Sequence, residues 1–282
     1  MSTTEVQSKH FTTNDGVRLH YLEAGSGKPL VLIHGWSQCA EEFKHQIAGL
    51  SDRYRVIAID QRGHGDSDKP GFGYRIQRLA KDLQELLVSL DLQDVTVLGH
   101  SMGCSVIWSY WDLFGSDRLA KIVLVDESPL LTSNPAWTEA ETEANGPIFT
   151  PASAVDTCND LEGPNGEPVT RGLIDIMVTK EIPPEVKEWI VQCNFRMSRK
   201  DSATLMRNHA YQDWSDVIPR LTLPTLIVGG RVSLIPWKSN VWISQQIKGS
   251  RLEIFEEAEG GQHFMFVQNP EKFNRIVADF IG

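Results

Sequence analysis

The chain has 282 residues, 41% of them hydrophobic and 23% charged, with a formal net charge of −10. That length accommodates one large α/β domain with an insertion. The acidic balance disfavours nucleic acid or an anionic membrane surface as a partner, because both select clustered Lys and Arg.

The N-terminal stretch MSTTEVQSKHF is polar and carries no apolar segment. No run in the chain approaches the ~18 apolar residues of a membrane span, so a cytoplasmic protein without a membrane span is expected. Apolar, β-branched runs then recur. Val17–Glu23 alternates, whereas Leu30–Ile33, Val56–Ile59, Val95–Leu98 and Ile122–Val125 are nearly all apolar. Such continuous runs suit strands covered on both faces, as in a parallel sheet. Between them, Tyr74–Leu90 sets Ile76, Leu79, Leu83, Leu86, Leu87 and Leu90 on one helical stripe. Val106–Phe114 is a further helical pattern. After residue 220 the alternation resumes, with strands at Leu226–Val228 and Leu252–Phe255 and helices at Trp237–Ile247 and Pro270–Ile281. Strand and helix in turn predict an α/β core with right-handed crossovers.

The alternation breaks between Ser128 and Arg220. This stretch is punctuated by SNPAW, ANGPIFTP, LEGPNGEPV and EIPPEV. It offers helical patterns at Leu173–Thr179, Glu185–Cys193 and Asp201–Trp214 but no convincing strand. The expected organisation is a sheet core from residues 1–127 and 221–282, with a helical cap at 128–220. The four cysteines, Cys39, Cys104, Cys158 and Cys193, are far apart and form no CxxC pattern. Reduced, buried thiols are expected. No phosphate-cradling loop, dinucleotide-binding Gly pattern or metal-ligand spacing is present, so chemistry without metal or cofactor is expected.

The strongest motif is VTVLGHSMG. Gly99-His100-Ser101-Met102-Gly103 matches G-x-S-x-G and lies between a strand and a helix, the context that makes Ser101 a nucleophile. The two glycines permit a tight turn, and the helix N-terminus aims N–H groups at developing negative charge. In LVLIHGW, the turn at His34-Gly35-Trp36 would point the Trp36 N–H at that nucleophile, and with the Met102 N–H it would form an oxyanion hole. His34 itself is read as a turn-stabilising residue. His263, in GGQHFMF, follows the last strand and is the histidine in the right chain order to serve as general base. His209 is a candidate substrate contact.

On the residues HGW at 34–36, DQRGHGDSDKP at 60–70, GHSMG at 99–103, LVDESP at 124–129 and GGQHF at 260–264, the chain resembles the α/β-hydrolase superfamily over nearly its full length. The nearest groups are capped esterases, lactonases and cofactor-free haloperoxidases. The resemblance implies an eight-stranded, mostly parallel sheet with a cap after strand six. In many such proteins the acid of the triad follows strand seven. The interval Val217–Leu252 contains neither Asp nor Glu, where about five acids would stand at the chain's average content. Asp126 directly follows the buried run Ile122–Val125 at a strand's C-terminal end, where α/β sites collect their chemistry. It is the expected partner of His263, as some superfamily members carry their acid there. Glu127 ranks second because an extended segment would turn it to the opposite side. Ser233 is left as a hydrogen-bonding bystander.

The implied activity is hydrolysis of an ester or lactone of a hydrophobic small molecule through Ser101, His263 and Asp126. The alternative is the cofactor-free dioxygenase reaction on 3-hydroxy-4-quinolones, which the chain also resembles, with His263 and Asp126 as a base dyad. Trp36, His100, Trp137, Trp189 and Trp214 are the candidate substrate-binding residues.

Overall fold

A computed structural model describes residues 5–282; Met1–Thr4, the start of the polar N-terminal stretch, lie outside the described residues. Eight strands form one sheet: β1 (Gln7–Thr12), β2 (Arg18–Ala24), β3 (Lys28–Ile33), β4 (Tyr54–Ile59), β5 (Val95–His100), β6 (Leu119–Val125), β7 (Thr225–Gly230) and β8 (Arg251–Phe255). Their order is β1-β2-β4-β3-β5-β6-β7-β8. β1 and β2 pair antiparallel, as do β2 and β4, and every other neighbour pair is parallel. The expected eight-stranded, mostly parallel sheet is therefore present. β1 is the strand that hydrophobic patterning does not reveal. Of its six residues only Phe11 is buried, because an edge strand packs one face at most.

The helices are α1 (Lys44–Leu50), α2 (Ile76–Ser89), α3 (Met102–Phe114), α4 (Glu139–Asn145), α5 (Pro151–Glu162), α6 (Gly166–Met177), α7 (Pro184–Asn194), α8 (Arg199–Ala210), α9 (Trp237–Gln246), α10 (Met265–Gln268) and α11 (Pro270–Ile281). Alternate residues of the central strands feed two separate cores. Val31, Ile33, Val97 and Ile227 pack with the leucine stripe of α2, with α3 and with α9. Leu32, Leu98, Val123 and Val228 pack with α1 and α11. A strand buried on both faces has no use for alternation, which is why these runs are continuously apolar. Burying each such side chain contributes roughly 1.5–3 kcal/mol.

Helices α4 to α8 all lie between β6 and β7. α4 and α5 have no apolar stripe to announce them. Their starts are set instead by capping boxes, Thr138 with Glu141 and Thr150 with Ser153. Among the described residues no helix is long and apolar enough to cross a membrane. The four cysteines are free and buried, as expected.

Candidate active site

Ser101 is the single residue between β5 and α3. Its φ of 51° is a left-handed conformation that side chains rarely adopt, and its N–H donates to Val125 O at 2.8 Å. The flanking glycines make this turn physically available. A Cβ on Gly99 would stand 2.4 Å from the Gly103 carbonyl carbon, and one on Gly103 would stand 2.3 Å from Ile33 O. The helix thus begins at Met102, four residues before the apolar pattern at Val106.

The turn after β3 lies against this elbow. His34 is fully buried, and burial pushes its pKa down. Its Nδ1 meets Gly35 O at 2.8 Å and its Nε2 accepts from Gln61 N at 3.1 Å, so it braces the turn rather than facing Ser101. The three residues after Gly35 are tied to the helices between β6 and β7. Trp36 Nε1 donates to Ser202 O at 2.8 Å, Ser37 Oγ to Asn194 O at 3.0 Å, and Gln38 Nε2 to Ile190 O at 3.4 Å. Among the described residues, neither the Trp36 nor the Met102 backbone N–H donates to a protein acceptor.

His263 lies between β8 and α10. Its Nδ1 is 2.7 Å from Asp126 Oδ2, and Asp126 is fully buried. Asp126 Oδ1 accepts from Gly230 N at 3.2 Å, and Oδ2 also accepts from Ser233 Oγ. The backbone leaving β6 is not extended. Asp126 has φ 55°, and this turn overturns the expectation for Glu127, which lines the same cavity as Ser101 rather than facing away.

That cavity is lined by Trp36, Ser101, Glu127, His209 and His263, with apolar walls that include Ile148, Ile174, Met206 and Ile235. Trp36 and His100 line it, as anticipated. The other three tryptophans do not. Trp214 packs against Trp108, ring centroids 6.4 Å apart, in the α2/α3 core. Trp189 lies under Lys44, whose Nζ is 3.6 Å from the ring centroid. Trp137 is half-buried in the loop before α4. A large aromatic ring packs wherever apolar surface needs covering, so its presence in the segment says little about the pocket. His20, Asp60 and Asp66 are a His/Asp group close enough to share an ion. They lie away from the cavity, and Asp60 already accepts from Ala40 N and Asp66 N.

The family description "alpha/beta hydrolase fold" matches residues 28–146. A non-heme chloroperoxidase of Kitasatospora aureofaciens is 31% identical over 285 residues, spanning 96% of this chain and 98% of that protein. The chain belongs to the α/β-hydrolase family. A non-heme haloperoxidase of Rhodococcus erythropolis is 28% identical over the same shares of the two chains. Among solved structures, an esterase from Exiguobacterium antarcticum superposes with a TM-score of 0.88 at 27% identity, covering 98% of this chain and 99% of that one.

In this α/β-hydrolase the candidate triad residues come from three separate strand ends, as family architecture requires. Ser233 is more than a bystander, since it donates to the Asp126 carboxylate. Two buried acids stand here: Glu42, which carried no sequence signal, and Glu127, which the sequence turned away from the site. Glu42 is 1% exposed although its neighbour Glu41 faces solvent. Glu127 is buried beside His209, whose Nε2 lies 3.4 Å from its Oε2 and 3.1 Å from Ser105 Oγ. An acid at a strand end or on a short turn reads as surface until packing encloses it.

Proposed function

We propose that this chain is a serine hydrolase that cleaves an ester or lactone of a hydrophobic small molecule. The observation that carries this reading is the His263 Nδ1–Asp126 Oδ2 contact of 2.7 Å at the cavity that Ser101 also lines. Asp126 holds the imidazole in the Nδ1–H tautomer, which leaves Nε2 as the base. His263 takes the Ser101 proton as Oγ attacks the carbonyl carbon. The resulting oxyanion receives the Trp36 and Met102 N–H groups, which have no competing protein acceptor among the described residues. Collapse of the tetrahedral adduct expels the alcohol, which takes the proton from His263. Water then attacks the acyl-enzyme and gives its proton to the same nitrogen, which returns it to Ser101 Oγ as the bond from Oγ to the acyl carbon breaks and the acid leaves.

Residues 128–220 act as a cap in this reading, over a core of 1–127 and 221–282. The cap supplies Ile148, Ile174, Asn194, Met206 and His209 to the cavity walls. Mostly apolar walls suit a hydrophobic acyl or alcohol group. The tie from Trp36 Nε1 to Ser202 O joins the cap to the oxyanion turn.

The test is covalent labelling. A fluorophosphonate probe is expected to modify Ser101, and Ser101→Ala is expected to lose both labelling and p-nitrophenyl ester turnover. Oxygen uptake with a 3-hydroxy-4-quinolone that survives Ser101→Ala, without ester turnover in the parent chain, overturns the reading.

A further inference from the structure

Behind the candidate triad lies a buried carboxyl that hydrolysis by Ser101, His263 and Asp126 does not use. Glu42 stands on the single turn Ala40–Phe43, just after the oxyanion turn. Its Oε1 lies 3.2 Å from His100 Nδ1 and accepts from the Gly35 N–H at 3.3 Å. Its Oε2 is buried with no hydrogen-bond partner among the described residues. The other ring nitrogen of His100, Nε2, lies 3.1 Å from the backbone carbonyl oxygen of His263.

The protons in this chain of contacts can be counted. A carbonyl oxygen only accepts, so His100 Nε2 carries a hydrogen. Burial, with His263 beside it, holds the His100 imidazole well below its ordinary pKa, so the ring is neutral and Nδ1 presents a lone pair. A carboxylate oxygen and a bare ring nitrogen would then face each other at 3.2 Å, two acceptors in contact. A proton on Glu42 resolves the conflict. Desolvation supplies the means, pushing the carboxyl up to about 8. The titratable groups facing Glu42 are His34 from the end of β3, His100 from β5 and His263 from the loop before α10, and Asp126 pairs with His263 beyond them.

We propose that Glu42 is a positioning residue: as a neutral acid it donates to His100 Nδ1 and accepts from Gly35 N–H, coupling the oxyanion turn to the backbone of the base His263. The effect on turnover rests on the serine hydrolase reading; the proton assignment does not. Loss of the proton puts an unscreened negative charge beside the turn whose Trp36 N–H would hold the oxyanion, where like charge opposes the transition state. It also sets the carboxylate against the His100 lone pair and loosens the tie to His263.

Two measurements on the full-length protein test this. The first is ¹⁵N NMR of the His100 ring, assigned with His100→Gln, and it needs no substrate. The expected result is the neutral Nε2–H tautomer at neutral pH, with a response centred near pH 8 that Glu42→Gln abolishes. An Nδ1–H tautomer, or a response unchanged in Glu42→Gln, overturns the proposal. The second is the pH profile of kcat/KM on a p-nitrophenyl ester. A single deprotonation near 8 lowers the wild-type value about tenfold by pH 9. Glu42→Gln, whose amide has no proton to lose in this range, loses that alkaline limb. A limb that persists in Glu42→Gln overturns the coupling. If no ester turns over at any pH, the hydrolase reading fails, and the NMR result still decides where the proton sits.

Discussion

Ser233 donates its hydroxyl hydrogen to Asp126 Oδ2, the same oxygen that meets His263 Nδ1. The loop after β7 lacks a carboxylate of its own, yet it holds in place the carboxylate that β6 provides. Gly230 N, at the end of β7, completes the set at 3.2 Å from Oδ1. A carboxyl that accepts from two donors besides the imidazole has little freedom to rotate away from it.

Two substitutions separate the carboxylate from its support. Asp126→Asn is expected to lower kcat by about three to four powers of ten, because the amide forces the wrong imidazole tautomer. Ser233→Ala should lower kcat by only about tenfold, since Gly230 N–H and His263 remain to orient the carboxylate. Ester turnover checks both, with circular dichroism showing that the fold is retained. Equal losses in the two variants would refute this division of roles.

Gly103→Ala tests the elbow itself. The added Cβ would stand 2.3 Å from the Ile33 carbonyl oxygen, a backbone atom of the central strand that cannot swing aside. The expected cost is about 2–4 kcal/mol of folding stability, from overpacking against rigid neighbours. Urea unfolding measures it. Gly71 is a useful control because nothing stands within 4 Å of a Cβ there, although its φ of 72° carries its own cost.

Arg62 carries the buried side of the turn after β4. It is fully buried, and its Nε and Nη2 meet the Asp82 carboxylate at 2.6 and 2.7 Å. Replacing it with Met leaves Asp82 enclosed with Arg78 as its remaining cation, at 2.7 Å, so the cost is at most the ~3–5 kcal/mol of a fully broken buried pair. Arg62→Met with Asp82→Leu should recover much of the loss. Thermal unfolding of the single and double variants decides this.

The Glu42 carboxyl makes folding stability depend on pH. Its folded pKa, about 8, lies above the ordinary 4.5, so the folded chain holds a proton that the unfolded chain releases. This contribution is fully present below pH 4.5 and is lost as pH rises through about 8. Denaturation midpoints should therefore fall more steeply across that window in the wild type than in Glu42→Gln. Parallel curves for the two would exclude a titration of Glu42 in this range.

The tight turn at Ser101 and the sheet were legible because their causes are local. Gly99 and Gly103 are needed within a few residues of Ser101, and a strand covered on both faces writes its burial directly into a run such as Val95–Leu98. Chain order and an acid-free interval from Val217 to Leu252 singled out His263 and Asp126 for the same reason: they are properties of sequence distance. What sequence could not settle were contacts between residues far apart. Trp137, Trp189 and Trp214 have the composition of pocket walls, but packing used them elsewhere, while Glu127, expected to face away, was turned into the cavity beside His209. The left-handed backbone at Asp126 decided the direction of Glu127, and no run of residue types encodes it. Glu42 is the clearest case. As a sequence letter it is a charge on a polar turn, and it becomes a buried acid beside His100 only when β3, β5 and the His263 loop close around it and exclude water.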